Sequence, residues 1–292
     1  MSSAPDFLLR RIEDLIRKRS STDRIMGYAW LIVPVLPILV GVVLAASLVR
    51  ILVSIPTFET IQRSESAVPL IAQIFAVYGF AILSFYVILL IGSFALYYLI
   101  DRRNAHFKRQ QQLFATLPRY LSSKTSGLTS ESISRVFQIS EDAMFDEQDR
   151  PAGLWAILNI FVTPVVGLIA AYDLTQDLRR HEERQSDYQA TLVAALNEAG
   201  VQPPAFAAQR LHKREDILFL ILTAITAGLF WIYWFYTLLR DYNEHFHDQA
   251  VVEDQILATL KPKAAIRVCA TCGGSVPENA KFCPLCGRPQ PI

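Results

Sequence analysis

Apolar and polar residues follow one another along this chain in long blocks. Residues 26–49 and 67–100 contain no charged side chain. As helices, both can cross a hydrocarbon core about 30 Å thick, which needs about 20 residues. Two further uncharged blocks follow at 153–172 and 217–239. The pattern predicts an all-α integral membrane protein; the competing reading is a very apolar soluble helical bundle. The first block is far longer than the roughly 7–15 residues of a signal-peptide core, and no small-residue cleavage pattern follows it promptly, so it reads as a retained anchor. Pro34 and Pro37 predict a kink within it. The second block exceeds one crossing and should tilt or project beyond the bilayer. Tyr97 and Tyr98 mark its interface level.

Ahead of the first block, APDFLLRRIEDLIRKR (4–19) places Leu8, Ile12, Leu15 and Ile16 on one helical face with arginines and acids opposite. Such a basic amphipathic helix lies on an anionic membrane surface or packs on a soluble segment.

Beyond three of the apolar blocks the pattern changes to a seam. Leu99, Arg103, His106, Gln110, Leu113 and Leu117 are spaced alternately four and three residues apart. So are Leu174, Leu178, His181, Gln185, Tyr188, Leu192 and Ala195, and again Leu238, Tyr242, His245, Gln249, Val252, Ile256 and Thr259. A 3.5-residue period suits left-handed packing of helices on one another. It predicts a coiled-coil-like bundle of three cytosolic stalks, with a histidine and a glutamine four residues apart in each.

The last two stalks and the blocks before them also repeat. At an offset of 64 residues without gaps, Leu154, Ile157, Tyr172, Asp177, His181 and Gln185 meet Leu218, Ile221, Tyr236, Asp241, His245 and Gln249, and Pro164 meets Gly228. A helix breaker therefore sits in the middle of both blocks. Parallel stalks must leave the membrane on one face, yet no crossing separates the last two blocks. One solution is that these blocks enter, turn near Thr163-Pro164 and Ala227-Gly228, and return on arms reaching about 15 Å. The other is four crossings with an antiparallel stalk. Counting of basic residues favours re-entry, which leaves only Arg63 outside, with Arg50 near that edge, and puts both termini in the cytosol of a multi-pass cell-membrane protein.

The pattern divides the chain as follows: an amphipathic helix (1–25), two transmembrane helices with the first stalk (26–117), and a cytosolic linker (118–149) holding a short helix from about Glu131 to Met144. A third membrane segment with its stalk (150–199), a linker (200–213), a fourth segment with its stalk (214–261) and a terminal knuckle (266–290) complete it.

Composition adds little to this. Hydrophobic residues make up 52% of the 292, and the net charge of +1 gives no reason to expect nucleic acid. The cysteines change the picture more. All four lie in CATCGGSVPENAKFCPLCG (269–287), as two Cys-x-x-Cys pairs each followed by glycine. Cys269, Cys272, Cys283 and Cys286 have the spacing of structural zinc ligands; iron or a redox disulfide are the alternatives. Four thiolates leave no open position, and the metal supplies folding energy that so short a segment lacks. The segment resembles zinc ribbons with two rubredoxin-type knuckles, which implies docking.

The three seam histidines, His106, His181 and His245, would share one layer. The first reading is a polar layer that fixes register, the second a metal site. His212 and His247 read as solvated. Asp177 and Asp241 read as helix caps or partners of a nearby arginine. No charge interrupts the apolar blocks, which weighs against an ion-coupled pump. Paired broken blocks point instead toward a transporter site, with Thr163, Thr223 and Thr226 available to line a pore. No nucleophile elbow, phosphate loop or His-Glu-x-x-His occurs, and no enzyme is expected.

Finally, TAGLFWIYWFY (226–236) resembles the signature T-x-G-[IL]-[YF]-x-[IL]-Y-W-[FL]-Y of an uncharacterised prokaryotic membrane-protein family whose members often carry two copies and sometimes a zinc ribbon. The earlier copy, TPVVGLIAAYDL, has proline for glycine and lacks the Tyr-Trp pair. Together these readings predict a non-enzymatic membrane scaffold that holds a zinc ribbon in the cytosol for a protein partner or another copy; a small-solute transporter or channel is the alternative.

Overall fold

A computed structural model describes residues 4–54, 67–125, 130–206, 212–261, 266–277 and 280–289. Among these residues the chain is helical apart from a short hairpin near its end. Nine helices follow in order: α1 (Ala4–Arg17), α2 (Arg19–Thr22), α3 (Ile32–Ser54), α4 (Ala67–Lys124), α5 (Glu131–Asp146), α6 (Ala152–Phe161), α7 (Val165–Glu198), α8 (Asp216–Ile225) and α9 (Phe230–Leu260) among the described residues. A 3-10 turn, Tyr28–Leu31, leads into α3. Strands β1 (Ile266–Val268) and β2 (Ser275–Pro277) pair antiparallel, with Arg267 opposite Val276.

Two stretches, Tyr28–Val53 and Leu70–Lys124, are long and apolar enough to cross a membrane. Pro34 falls in the first turn of α3, where a missing N–H leaves nothing unsatisfied, while Pro37 lies inside the helix. The second stretch belongs to α4, a single helix of 58 residues, about 87 Å long at 1.5 Å per residue.

α4 has two halves with opposite surfaces. Up to about Phe94 its large apolar side chains, Phe75, Tyr78, Leu83 and Leu90 among them, are exposed. From Leu96 onward the apolar side chains turn inward and join α7 and α9. Every seam position that the 3.5-residue spacing picked out is buried, save the half-buried Thr259. The bundle has more than three members, however. α1 buries Ile12, Leu15 and Ile16 against Leu113, Leu117 and Leu192, and α5 buries Ile133, Val136 and Ile139 in the same cluster. The apolar face of α1 is therefore covered by protein, with Ile12 0% exposed, and is not available to a membrane surface.

Within 118–149 the helix expected from about Glu131 to Met144 is present as Glu131–Asp146, but it packs into the bundle instead of lying in a linker. α4 continues through Lys124, and Ser130 starts α5 by accepting the Ile133 N–H at 3.2 Å. The continuation carries Pro118 inside the helix. A proline there has no N–H for the Phe114 carbonyl one turn earlier. The Tyr188 hydroxyl supplies the missing donor, reaching that carbonyl at 2.9 Å while its ring stacks on Phe114 at 4.0 Å.

α6 and α8, ten residues each, fold back on the helices that follow them. The first break spans 162–164, where Thr163-Pro164 is cis. In the second, Ala227 (φ 49°) and Gly228 (φ 90°) take left-handed backbone, and the Gly228 N–H bonds the Thr223 carbonyl at 2.8 Å. Thr226 serves both sides of this turn. Its hydroxyl donates to the Leu222 carbonyl at 2.7 Å and accepts the Phe230 N–H at 2.9 Å, which caps α9. Each pair is clamped where its two helices meet the polar half. Arg150 donates to both oxygens of Asp177 at 2.8 and 3.0 Å and to Asp173 at 2.7 Å. Arg214 donates to both oxygens of Asp241 at 2.8 and 2.9 Å. Trp234 ties the two units together by donating to the Thr175 hydroxyl at 3.0 Å.

Candidate functional site

At the tip, the turn after each Cys-x-x-Cys pair is built the same way. The Gly273 N–H bonds the Cys269 carbonyl at 2.9 Å and the Gly287 N–H bonds the Cys283 carbonyl at 2.8 Å, with both glycines at positive φ (71° and 68°). Only a residue without Cβ adopts this backbone at low cost. The Cys269 N–H then bonds the Gly274 carbonyl, and the Cys283 N–H the Arg288 carbonyl, both at 2.8 Å. These turns aim the four thiols inward. Cys269 Sγ lies 3.8 Å from Cys286 Sγ and Cys272 Sγ lies 3.7 Å from Cys283 Sγ. That is far beyond a disulfide bond of about 2.05 Å. All four sulfurs lie within 4.8 Å of one another and could hold a metal ion.

The second cluster lies in the bundle. α4, α7 and α9 bring His106, His181 and His245 together at one level, with their ligating nitrogens within 4.8 Å of one another and all three rings buried. The layer separates two apolar clusters, one around Leu99, Leu174 and Trp234 and one around Leu113, Tyr188 and Val252. His106 Nε2 faces His245 Nε2 at 3.2 Å, and Gln185 Nε2 sits 2.9 Å from His181 Nε2.

Each ring turns its other nitrogen toward a carboxylate. Asp23 Oδ1 lies 3.1 Å from His106 Nδ1, an ion-pair distance without aligned hydrogen-bond geometry. Glu147 Oε1 is 2.8 Å from His181 Nδ1, and Glu182 Oε1 is 3.4 Å from His245 Nδ1. Arginines hold the carboxylates in turn: Arg109 bonds Asp23 at 2.8 Å, and Arg184 bonds Glu147. Burial works to raise the Glu147 carboxyl, but His181 and Arg184 hold it below the ordinary range. Burial likewise opposes the charge on Glu182, yet hydrogen bonds from His212 and His245 bring it down to about 2. Burial keeps the His245 imidazole below its usual value although Glu182 works to raise it. Glu253, beneath the layer, is pushed up to about 7 by burial despite Arg109 at 2.8 Å.

His212 is not solvated. It is buried, its N–H and its Nδ1 both meet Glu182, at 2.7 and 2.6 Å, and its Nε2 lies 3.2 Å from Glu244. Burial works against its charge, but Glu182 and Asp241 raise it above its ordinary value. It can form a third cation-binding group with Asp241 and Glu244. His247 is exposed.

A cavity of about 1130 Å³ opens in the apolar half between α3, α4 and the two helix breaks. Thr163 and Thr223 reach it, but almost all its lining is aliphatic or aromatic. Thr223 and Thr226 donate their hydroxyls to carbonyls of their own helix, at 2.8 and 2.7 Å, so neither presents a free donor to a passing solute. Asn159, buried beside this space, donates to Ser93 at 3.1 Å.

Sequence reasoning picked out the four cysteines and three histidines but missed their surroundings. Asp23 and Glu147 lie outside the helices, at positions no periodicity marks. Arg150 and Arg214 carried a signal, since they stand 64 residues apart, the offset of Asp177 and Asp241, just ahead of the aligned stretch. No protein-family model, curated protein or solved structure matches this chain.

Proposed function

We propose that this protein is a non-enzymatic scaffold of the cell membrane that holds a zinc ribbon in the cytosol for a protein partner or a second copy of itself. The observation that carries the membrane part is the reversal of burial along α4. Large apolar side chains face outward on α3, the first half of α4, α6 and α8, and mostly inward below. A non-aqueous solvent around the first region makes both arrangements favourable.

The two clamps support re-entry for α6 and α8. Arg150–Asp177 and Arg214–Asp241 fasten both ends of each apolar pair at the level of the polar half, so each arm goes in and returns. Their common offset supports duplication of one unit. With re-entry, the basic residues of α7 and of the segment before α8 stay on the side of the termini, the cytosolic side.

Sulfur spacing supports zinc. Tetrahedral coordination at about 2.3 Å per bond sets the sulfurs about 3.8 Å apart, against the 3.7 and 3.8 Å found. Cys269, Cys272, Cys283 and Cys286 would hold the ion, which supplies the folding energy of the tip and no reaction.

The topology is tested by labelling Ser186→Cys, in a chain with its native cysteines changed to serine, with an impermeant thiol reagent on intact cells. The position is exposed on α7. Protection until the cells are opened is expected; reaction from outside rejects re-entry. Deleting 266–292 should leave the protein in the membrane fraction and remove its proximity-labelled partners, and an unchanged partner set rejects docking by the ribbon.

The cavity between the helix breaks favours a second reading, passage of a small solute. Its apolar lining suits acyl chains better than polar cargo. Solute flux into liposomes carrying the purified protein would support transport.

A further inference from the structure

We propose that His106, His181 and His245 form a second metal site, which binds a borderline divalent transition ion such as zinc through their three Nε2 atoms. All three ligands come from the bundle and none from the ribbon.

The first observation is convergence. Three buried imidazoles from three helices meet at one level, and the His106 and His245 Nε2 atoms stand 3.2 Å apart. Nitrogens bound at about 2.0–2.1 Å around a tetrahedral ion are separated by about 3.3 Å.

The second is orientation. All three Nδ1 atoms face carboxylates, those of Asp23, Glu147 and Glu182. An imidazole whose Nδ1–H is directed at a carboxylate carries its lone pair on Nε2, the arrangement found around histidine-bound zinc. Nε2 lone pairs would then converge where solvent cannot enter, with those of His106 and His245 3.2 Å apart and able to meet on one cation.

The third is incomplete satisfaction. A polar layer serving only to fix register should close its own hydrogen bonds. Here Gln185 Oε1 and Gln110 Oε1 are buried without a hydrogen-bond partner. A half-turn about the last side-chain bond of Gln185 would put Oε1 where Nε2 now sits, 2.9 Å from His181 Nε2, and so offer a fourth ligand. Charge agrees as well. The carboxylates of Asp23, Glu147 and Glu182 face the three imidazoles, against the guanidiniums of Arg109 and Arg184.

The test uses the full chain in detergent with Cys269, Cys272, Cys283 and Cys286 all changed to serine, so that the ribbon contributes no ligand. Titration with Co2+ should fill about one site per chain and give the absorption of a nitrogen-rich tetrahedral ion. With Cu2+, electron paramagnetic resonance should resolve nitrogen couplings. His181→Gln with His245→Gln should abolish both signals, and Glu182→Gln should weaken binding by about 10–100-fold through the imidazole it orients. Absence of binding by the helical, cysteine-free chain would overturn the proposal. So would binding without nitrogen couplings, or binding that survives the double histidine change, which would reveal an adventitious ion only. If the histidine variants fail to fold, the nitrogen couplings of their parent decide the matter.

Discussion

The two halves of α4 obey opposite rules although they are one helix. In the first, Phe75, Leu83 and Leu90 are exposed. In the second, Leu113, Leu117 and Leu121 are buried and charged side chains fill the interior as well as the surface. The polar half even keeps Arg102 fully buried, donating to Asn243 at 2.9 Å and to the Leu238 carbonyl at 3.1 Å, with Tyr242 under its guanidinium at 5.2 Å. The comparison teaches that helical content says little about solvent. What distinguishes the halves is which side of the helix carries the period of the apolar residues, and whether there is a period at all.

The sharpest way to break this comparison is one truncation made in each half. Leu113→Ala, in the fully buried cluster, should destabilise the detergent-solubilised protein by about 2–5 kcal/mol. Leu83→Ala, on the exposed apolar face, should change stability by less than about 0.5 kcal/mol. Equal losses, read from thermal unfolding by circular dichroism, would mean that the apolar half is packed and not solvated by lipid or detergent.

The next effect concerns the interior of the polar half. Tyr188→Phe leaves the Phe114 carbonyl without a donor and should cost about 1–3 kcal/mol. In a Pro118→Ala background the restored N–H serves that carbonyl, and the same change should cost less than half as much. Equal costs in the two backgrounds would show that the tyrosine does not compensate the proline.

The two helix breaks permit a smaller test. Thr226→Ala removes the hydroxyl that caps α9 and should cost about 1 kcal/mol. The exposed Thr163 has no such bond among those described, so Thr163→Ala should be close to neutral. The reverse order would reassign the cap.

Acidity distinguishes the halves least. Glu253 is protonated more readily in the folded chain than its ordinary value of 4.5 allows, up to about 7, because burial outweighs Arg109. Arg109 and Gln110 face it from α4, with Asp23 and Arg19 close by. A raised acid destabilises once it must ionise. Its penalty is absent below about pH 4.5 and complete above about pH 7, so stability should rise on acidification from pH 8 to 5. Glu253→Gln should remove that slope from the unfolding profile.

Much of this architecture was legible in the sequence because periodicity is a direct image of burial. The seam positions from Leu99 to Leu117, Leu174 to Ala195 and Leu238 to Ile256 are the buried ones, and the breaks at Pro164 and Gly228 are where the helices end. The Cys-x-x-Cys pairs were legible because their ligand spacing is local. The helix from about Glu131 was legible, since Ile133, Val136, Ile139 and Ala143 lie at helical spacing behind a Ser130 cap, but the serines, threonines and acids of 118–149 hid that α4 runs on through Lys124 and that this helix packs into the bundle. His212 was misread for another reason. Its neighbours Glu182 and Glu244 are about 30 residues away in either direction, and no local pattern records a contact over that distance. The carboxylates behind the histidines escaped notice in the same way.

The unbroken course of α4 has a mechanical consequence. His106 shares one continuous helix with the exposed Phe75 and Tyr78, while His181 and His245 each follow a helix break, at 162–164 and 226–229. A change in the tilt of α4 would therefore shift one imidazole against the other two.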